Sequence, residues 1–177
     1  MTSASASDLV RALTTTTPDF PTPGVLFRDL SPVFADGAAF RTVVAGLAEP
    51  YAGEFDAVAG AEARGFLFAA AMAHAAGVGV LPLRKPGKLP PPVIAETYDL
   101  EYGSAELQLR DNTPRGLRVL LVDDVLATGG TLAAARRLLE KAGNTVVGAS
   151  VVIELAALGG RAAVPGLRVA ALDVVAD

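Results

Sequence analysis

The densest chemistry in the chain lies at residues 119–131, VLLVDDVLATGGT, where two adjacent carboxylates meet a loop of small residues. The apolar run reads as a buried strand with the acids near its carboxyl end. Gly129 and Gly130 have no side chain to obstruct a ligand, so N–H groups from Ala127, Thr128, Gly129, Gly130 and Thr131 can converge on one phosphate. A helix opening at the end of the loop adds unpaired N–H donors and the positive end of its dipole. The hydroxyls of Thr128 and Thr131 supply further donors. Asp123 and Asp124 stand between strand and loop, where they can accept from the two cis hydroxyls of a ribose carrying that phosphate. The combination describes a seat for a ribose 5-phosphate. It is not a Walker A loop, since no Gly-Lys-Ser/Thr follows the glycines. Two capping acids and an ordinary strand-to-helix turn are the plain alternative.

Other residues could serve the same ligand. Glu62-Ala63-Arg64-Gly65 falls at a strand-to-helix junction, which places Arg64 to bind an anion near a helix N-terminus; the alternative is an ion pair with Glu62. Arg84, Lys85 and Lys88 cluster in RKPGKLPPP, residues 84–92. That run suits a mobile lid closing over an anion and excluding water, although loop cations without context are usually just solvated. Glu101 and Tyr102 fall in a hairpin that could fold over the same site, while a strand Glu is more often a solvated face. His74 sits in an Ala-rich helix and reads as packed or half-exposed. With no G-x-S-x-G elbow in the chain, a serine-hydrolase triad is discarded.

These groups need a scaffold, and 177 residues suit one domain over 1–177. The chain is 51% hydrophobic and 19% charged, a balance that folds. With 15 Lys+Arg against 19 Asp+Glu, the net charge of −4 argues against nucleic-acid binding through a basic surface. The absence of Cys removes disulfides and thiolate metal sites and fits a reducing cytoplasm. The start, MTSASASDLV, has no basic and apolar regions of a secretory signal and reads as a loose tail. Residues 65–83 lack charge but are Ala-rich and broken by Gly77, Gly79 and Pro82, so they read as a buried helix and strand rather than a membrane span.

A helix is expected from Ser7 as N-cap through Leu13, stopped by the Thr run and Pro18. Residues 19–34, rich in Pro and aromatics, read as an ordered loop. A helix near 38–51 leads into alternating elements: strand 55–60, helix from Arg64, strand 78–83, and a β-rich hairpin around Gly103. The order then resumes with strand 118–124, helix 131–143 closed by Gly143, strand 145–155, a short helical turn near 157–163, and strand 167–175. The alternation predicts an α/β fold, a mostly parallel sheet flanked by helices, with ligands at the carboxyl ends of the strands.

In content and order these segments resemble the type I phosphoribosyltransferases. VLLVDDVLATGGT is similar to that family's phosphoribosyl diphosphate (PRPP) motif. DFPTPGVLFRDLSPVF (19–34), GAEARGFLFAAAMA (60–73), LRKPGKLPPPVIAETYDLEYGSAELQL (83–109) and ELAALGGR (154–161) look like the family's adenine branch, so the resemblance covers most of 19–161. It implies a type I phosphoribosyltransferase fold with an N-terminal hood in residues 1–35 and a lid loop and hairpin in 84–110. It also implies conversion of adenine and PRPP to AMP and pyrophosphate in cytoplasmic purine salvage, by a homodimer using Mg2+ carried mainly on PRPP, without nucleic acid or membrane.

By the same resemblance, PRPP is held by Arg64, Arg84, Lys85, Lys88, Tyr102, Asp123, Asp124 and the loop Ala127, Thr128, Gly129, Gly130 and Thr131. Glu101 is the implied catalytic acid/base, Asp123 and Asp124 touch Mg2+ through water, and adenine is met by Leu26, Phe27, Arg28 and Val125. The chain departs from the family in its short Ser/Ala-rich beginning and in PPPV after the basic loop. The alternatives are a phosphoribosyltransferase for another base and a non-catalytic PRPP-sensing regulator, which would need a nucleic-acid-binding surface.

Overall fold

The computed structural model describes residues 4–99 and 104–176. Helix α1 (Ala6–Leu13) is capped by Ser5 rather than Ser7. Asp8 lies three residues after Ser5 and closes a reciprocal capping box, Asp8 N to Ser5 Oγ 3.1 Å and Ser5 N to Asp8 Oδ2 3.2 Å; Val10, three after Ser7, cannot. The Thr run does not merely stop this helix. It forms β1 (Thr15–Thr17), antiparallel to β2 (Phe27–Asp29), so the segment expected to be only a loop contains a strand and a one-turn helix α2 (Ser31–Ala35).

Helix α3 (Gly37–Ala48) follows, with the Asp36 carboxylate accepting from the N–H groups of Ala38 and Ala39. Then come β3 (Ala57–Ala61), α4 (Gly65–Ala76), β4 (Gly79–Leu83), the antiparallel pair β5 (Val93–Asp99) and β6 (Ser104–Arg110), β7 (Arg118–Leu126), α5 (Gly130–Lys141), β8 (Thr145–Leu155) and β9 (Val169–Val175). His74 is exposed on α4.

The main sheet has five strands in the order β4-β3-β7-β8-β9, every pair parallel. Its strands are apolar on both faces because both are covered. The period of two divides them: Val119 and Leu121 of β7 join one core with Leu132, Leu138 and Leu139 of α5, while Leu120 and Val122 join the other with Val43 and Leu47 of α3 and Phe68 and Met72 of α4. From β3 the chain steps outward to β4, and from β7 it steps the other way to β8 and β9. The reversal falls between β3 and β7, so the crevice at their carboxyl ends is where such a sheet receives ligands.

The base of the hairpin is not a free flap. Leu107 and Leu109 of β6 are buried in the α5-side core, and β5 is tied to α5 by Arg137–Glu96 at 2.6 Å and by Lys141 Nζ donating to Ala95 O at 2.8 Å. Leu109→Ala is expected to lower the stability by about 2 kcal/mol in urea unfolding, whereas truncation in a free flap would leave the midpoint in place.

Candidate active site

The crevice is built by two strand ends. After β3 the chain turns sharply into α4, and the turn is tight enough that a Cβ on Gly60 would stand 2.4 Å from Gly65 O. Gly65 in turn packs against β7: a Cβ there would lie 2.9 Å from Asp123 Oδ1. Glycine at both positions lets the 62–65 turn and the paired acids share one place. The Glu62–Ala63 peptide is cis.

Asp123 and Asp124 divide the work between them. Asp123 Oδ1 accepts from Asp124 N at 3.0 Å, and Asp123 lines a cavity at the head of the loop. Burial, and next the Asp124 charge, push its pKa well above the usual carboxylate range. Asp124 is buried, and its Oδ2 lies 2.6 Å from Arg64 Nη2, an ionic contact without the alignment of a hydrogen bond. Arg64 also donates through Nη1 to Arg28 O at 3.3 Å and lies over the Phe27 ring, 5.4 Å from its centroid. The ion pair offered as an alternative for Arg64 is therefore not with Glu62. Instead Arg64 bridges the acids of β7 to the hood strand β2, because α4 aims its N-terminus across the crevice between them.

Glu62 has other partners. Its Oε2 accepts from Arg84 Nε at 3.1 Å and from Lys85 N at 2.9 Å, and these bonds, the backbone one first, hold its pKa below the ordinary value. Arg84 is thus not a solvated loop cation: it also exchanges two backbone hydrogen bonds with Gln108, at 2.8 and 2.7 Å, and stacks over Phe66. Lys85 and Lys88 are exposed beside it.

The loop between β7 and α5 lines the cavity with Val125, Ala127, Thr128, Gly129, Gly130 and Thr131. Gly129 is needed for more than ligand access. Its φ is +83°, and a Cβ there would stand 2.2 Å from Gly160 O and 2.8 Å from the Ala163 Cβ. Gly160 is equally closed, since its own Cβ would lie 2.2 Å from Ala127 O. The turn after β8 thus braces the loop from behind. In the same turn Arg161 makes a two-pronged pair with the buried Glu154, Nε–Oε1 2.7 Å and Nη2–Oε2 2.6 Å. Sequence reasoning had not placed Gly160 or Ala163 at the site; the glycine pair 159–160 was the available signal. It also missed Tyr98, whose hydroxyl is 3.4 Å from Thr131 Oγ1.

The hood brings up the remaining residues. Leu26 is exposed, Phe27 and Arg28 are half-buried, and Phe20 packs edge-on to Phe27 with ring centroids 5.1 Å apart. Glu101 and Tyr102 lie outside the described residues. Two carboxylates are too few for an all-protein Mg2+ cage, and among the described residues no group of three or more His, Asp or Glu stands ready to hold a metal. The oxygen donors of Asp123 and Asp124 do suit an outer contact, through water, to a Mg2+ brought in on a diphosphate. No helix among the described residues is long and apolar enough to cross a membrane.

Comparison with known proteins agrees with this geometry. The family model of the phosphoribosyl transferase domain matches residues 35–163. The chain is 59% identical over 169 residues to the adenine phosphoribosyltransferase of Renibacterium salmoninarum, covering 95% of this chain and 93% of that protein. The crystal structure of adenine phosphoribosyltransferase from Thermoanaerobacter pseudethanolicus superposes with a TM-score of 0.92 at 40% identity, covering 96% of this chain and 99% of that one. The Saccharomyces cerevisiae enzyme, solved with adenine and an imino-altritol bisphosphate, gives 0.88 at 36% identity, over 94% and 98% of the two chains. The loop, the acids and the parallel sheet that carries them thus have one common source: the chain belongs to the phosphoribosyl transferase family, and within it to the adenine phosphoribosyltransferases.

Proposed function

We propose that this chain transfers the 5-phosphoribosyl group of PRPP to adenine, releasing pyrophosphate and forming AMP for purine salvage. The observation that carries this reading is the chain of contacts from the phosphate loop through Asp124 and Arg64 to the hood strand. On this reading the loop is the phosphate seat, the acids hold the ribose and the hood strand covers the base around one crevice.

In the reaction N9 of adenine forms a bond to the anomeric carbon, the bond from that carbon to the diphosphate oxygen breaks, and the N9 proton departs. The loop 127–131 holds the 5-phosphate. Asp123 and Asp124 accept from the ribose hydroxyls and stabilise the oxocarbenium-like charge that grows as the bond breaks. Arg64, Arg84, Lys85 and Lys88 meet the diphosphate, together with Tyr102. A Mg2+ brought in on the diphosphate would be met through water by Asp123 and Asp124 and would supply charge neutralisation to the leaving group.

Leu26 selects the base. Its backbone N–H and C=O match the N1 acceptor and amino donor of adenine, while hypoxanthine presents the reverse pair and would leave buried groups unpaired. Phe27, Arg28 and Val125 enclose the ring. The family resemblance also supports a homodimer, and the lack of Cys fits a cytoplasmic setting.

Glu101 takes the N9 proton. Glu101→Gln is expected to reduce kcat about tenfold with little change in the KM for PRPP, less than a full general-base contribution because solvent can also take that proton. An unchanged kcat would remove Glu101 from the mechanism. The function itself is tested by supplying labelled adenine, hypoxanthine, guanine or orotate with PRPP and Mg2+. AMP from adenine alone is expected. Turnover of another base would refute the Leu26 argument, and PRPP binding without any turnover would refute the catalytic reading.

A further inference from the structure

A carboxylate at the Glu62 position is out of place on electrostatic grounds. The diphosphate-binding part of the site gathers Arg64, Arg84, Lys85 and Lys88, and an anion among them lowers the field that should attract a polyanion. The contacts of Glu62 give a reason for its presence. One oxygen, Oε2, accepts from both the Arg84 guanidinium and the Lys85 backbone, at 3.1 and 2.9 Å. Arg84 is then fixed from three sides, by Glu62, by the Phe66 ring 5.7 Å from its guanidinium carbon, and by its two backbone bonds to Gln108 of β6. Gln108 in turn donates to Glu106 at 2.6 Å. The turn after β3, the first residues of the basic segment and the hairpin therefore meet at Glu62.

We infer that Glu62 is a positioning residue for diphosphate binding: its carboxylate orders Arg84 and Lys85 so that the basic segment meets the substrate already arranged. The inference rests on the reading of that segment as a diphosphate site. Ordering and field predict opposite signs, which makes the role testable. If Glu62 acted only through its charge, Glu62→Gln would tighten anion binding; if it orders the segment, the same variant weakens it. Gln can still accept from Lys85 N but loses the ionic hold on Arg84, so a partial effect is expected. Discounted for the partial exposure of Arg84, the loss is about fivefold in affinity.

The experiment measures steady-state kinetics with varied PRPP and calorimetric binding of inorganic pyrophosphate with Mg2+, on Glu62→Gln, Arg84→Gln and the double variant. Glu62→Gln should raise the KM for PRPP and the Kd of pyrophosphate about fivefold, with kcat within about a factor of two. In the Arg84→Gln background the further effect should fall below about twofold, since the group being ordered is gone. Tighter or unchanged binding in Glu62→Gln, with Arg84→Gln still impaired, would overturn this inference alone. If neither single variant affects binding, the diphosphate reading of the segment fails and the inference falls with it. A thermal midpoint shared with the parent separates ordering from misfolding, and Glu62→Asp, whose shorter arm cannot span both partners, should bind no better than Glu62→Gln.

Discussion

Replacing Asp123 by Asn is expected to make the protein more stable and the enzyme worse. In the folded protein this carboxyl has its pKa raised by burial and by the charge of Asp124. An acid whose folded pKa exceeds its unfolded one binds its proton more tightly when folded, so stability falls as pH climbs from the unfolded value of 3.8 through the raised folded value. Above the raised folded value the protein carries that cost in full, and Asn, neutral throughout, removes it. A gain of about 1 kcal/mol, or roughly 2–4 °C in Tm, is expected at pH 7, shrinking as pH falls through the raised folded value and gone below pH 3.8. The opposite holds for catalysis. On the proposed mechanism Asn lacks the charge that would hold the ribose hydroxyls and face the oxocarbenium, so kcat/KM should drop about 100-fold.

Asp124→Asn should lower both quantities, because Asp124 is the partner of Arg64 and its loss leaves that guanidinium uncompensated over the hood. The pair is read by calorimetry across pH together with kcat/KM for PRPP. A loss of stability in Asp123→Asn at pH 7 would refute the account of the raised pKa, and unchanged kinetics in both variants would refute the ribose seat.

Gly129→Ala is expected to be the most damaging single-methyl change at the site. Ala at φ +83° carries the usual left-handed penalty of about 1–2 kcal/mol. Its Cβ would also meet Gly160 O at 2.2 Å, and that neighbour is backbone, braced in turn against Ala127 O. Neither side can yield cheaply, so the loop must shift by about an ångström and the N–H groups cease to converge. The expected result is a loss of about 3 kcal/mol in stability and of 100-fold or more in kcat/KM, since a displacement of that size in a positioning element costs on that order. Gly130→Ala is the control. Gly130 begins α5, so Ala there fits the backbone and should be far milder in stability. Equal stability of the two variants would show that the brace from Gly160 does not matter.

The strand–loop–helix unit was readable because its parts are contiguous. The glycine loop, the acids that precede it and the helix that follows it lie within residues 119–131, and contiguous residues keep their local geometry in any fold that makes strand, turn and helix. The parallel sheet was legible for a similar reason: apolar runs of strand length alternate with helical segments, and β3, β4, β7, β8 and β9 all fall where that alternation put them. The first segment was read less well. A row of threonines has no apolar period, and only its pairing with residues 27–29, distant in sequence, makes it a strand.

What the sequence by itself determined was the family and the parallel sheet. Partner choice was decided by the tertiary structure. Arg64 and Glu62 stand two residues apart, an obvious ion pair on paper, yet a tight turn sends them to different neighbours, Asp124 and Arg84. The division of labour between Asp123 and Asp124 has the same origin. One lines the cavity and carries a raised pKa while the other is buried against a guanidinium, a difference set by the neighbours each meets at the crevice. Gly160 supports Gly129 across thirty-one positions of sequence, a contact made only when β8 lies parallel beside β7 and its following turn closes over the loop. Pairings of this kind depend on which surfaces the sheet order brings together, and no local pattern of residues encodes that.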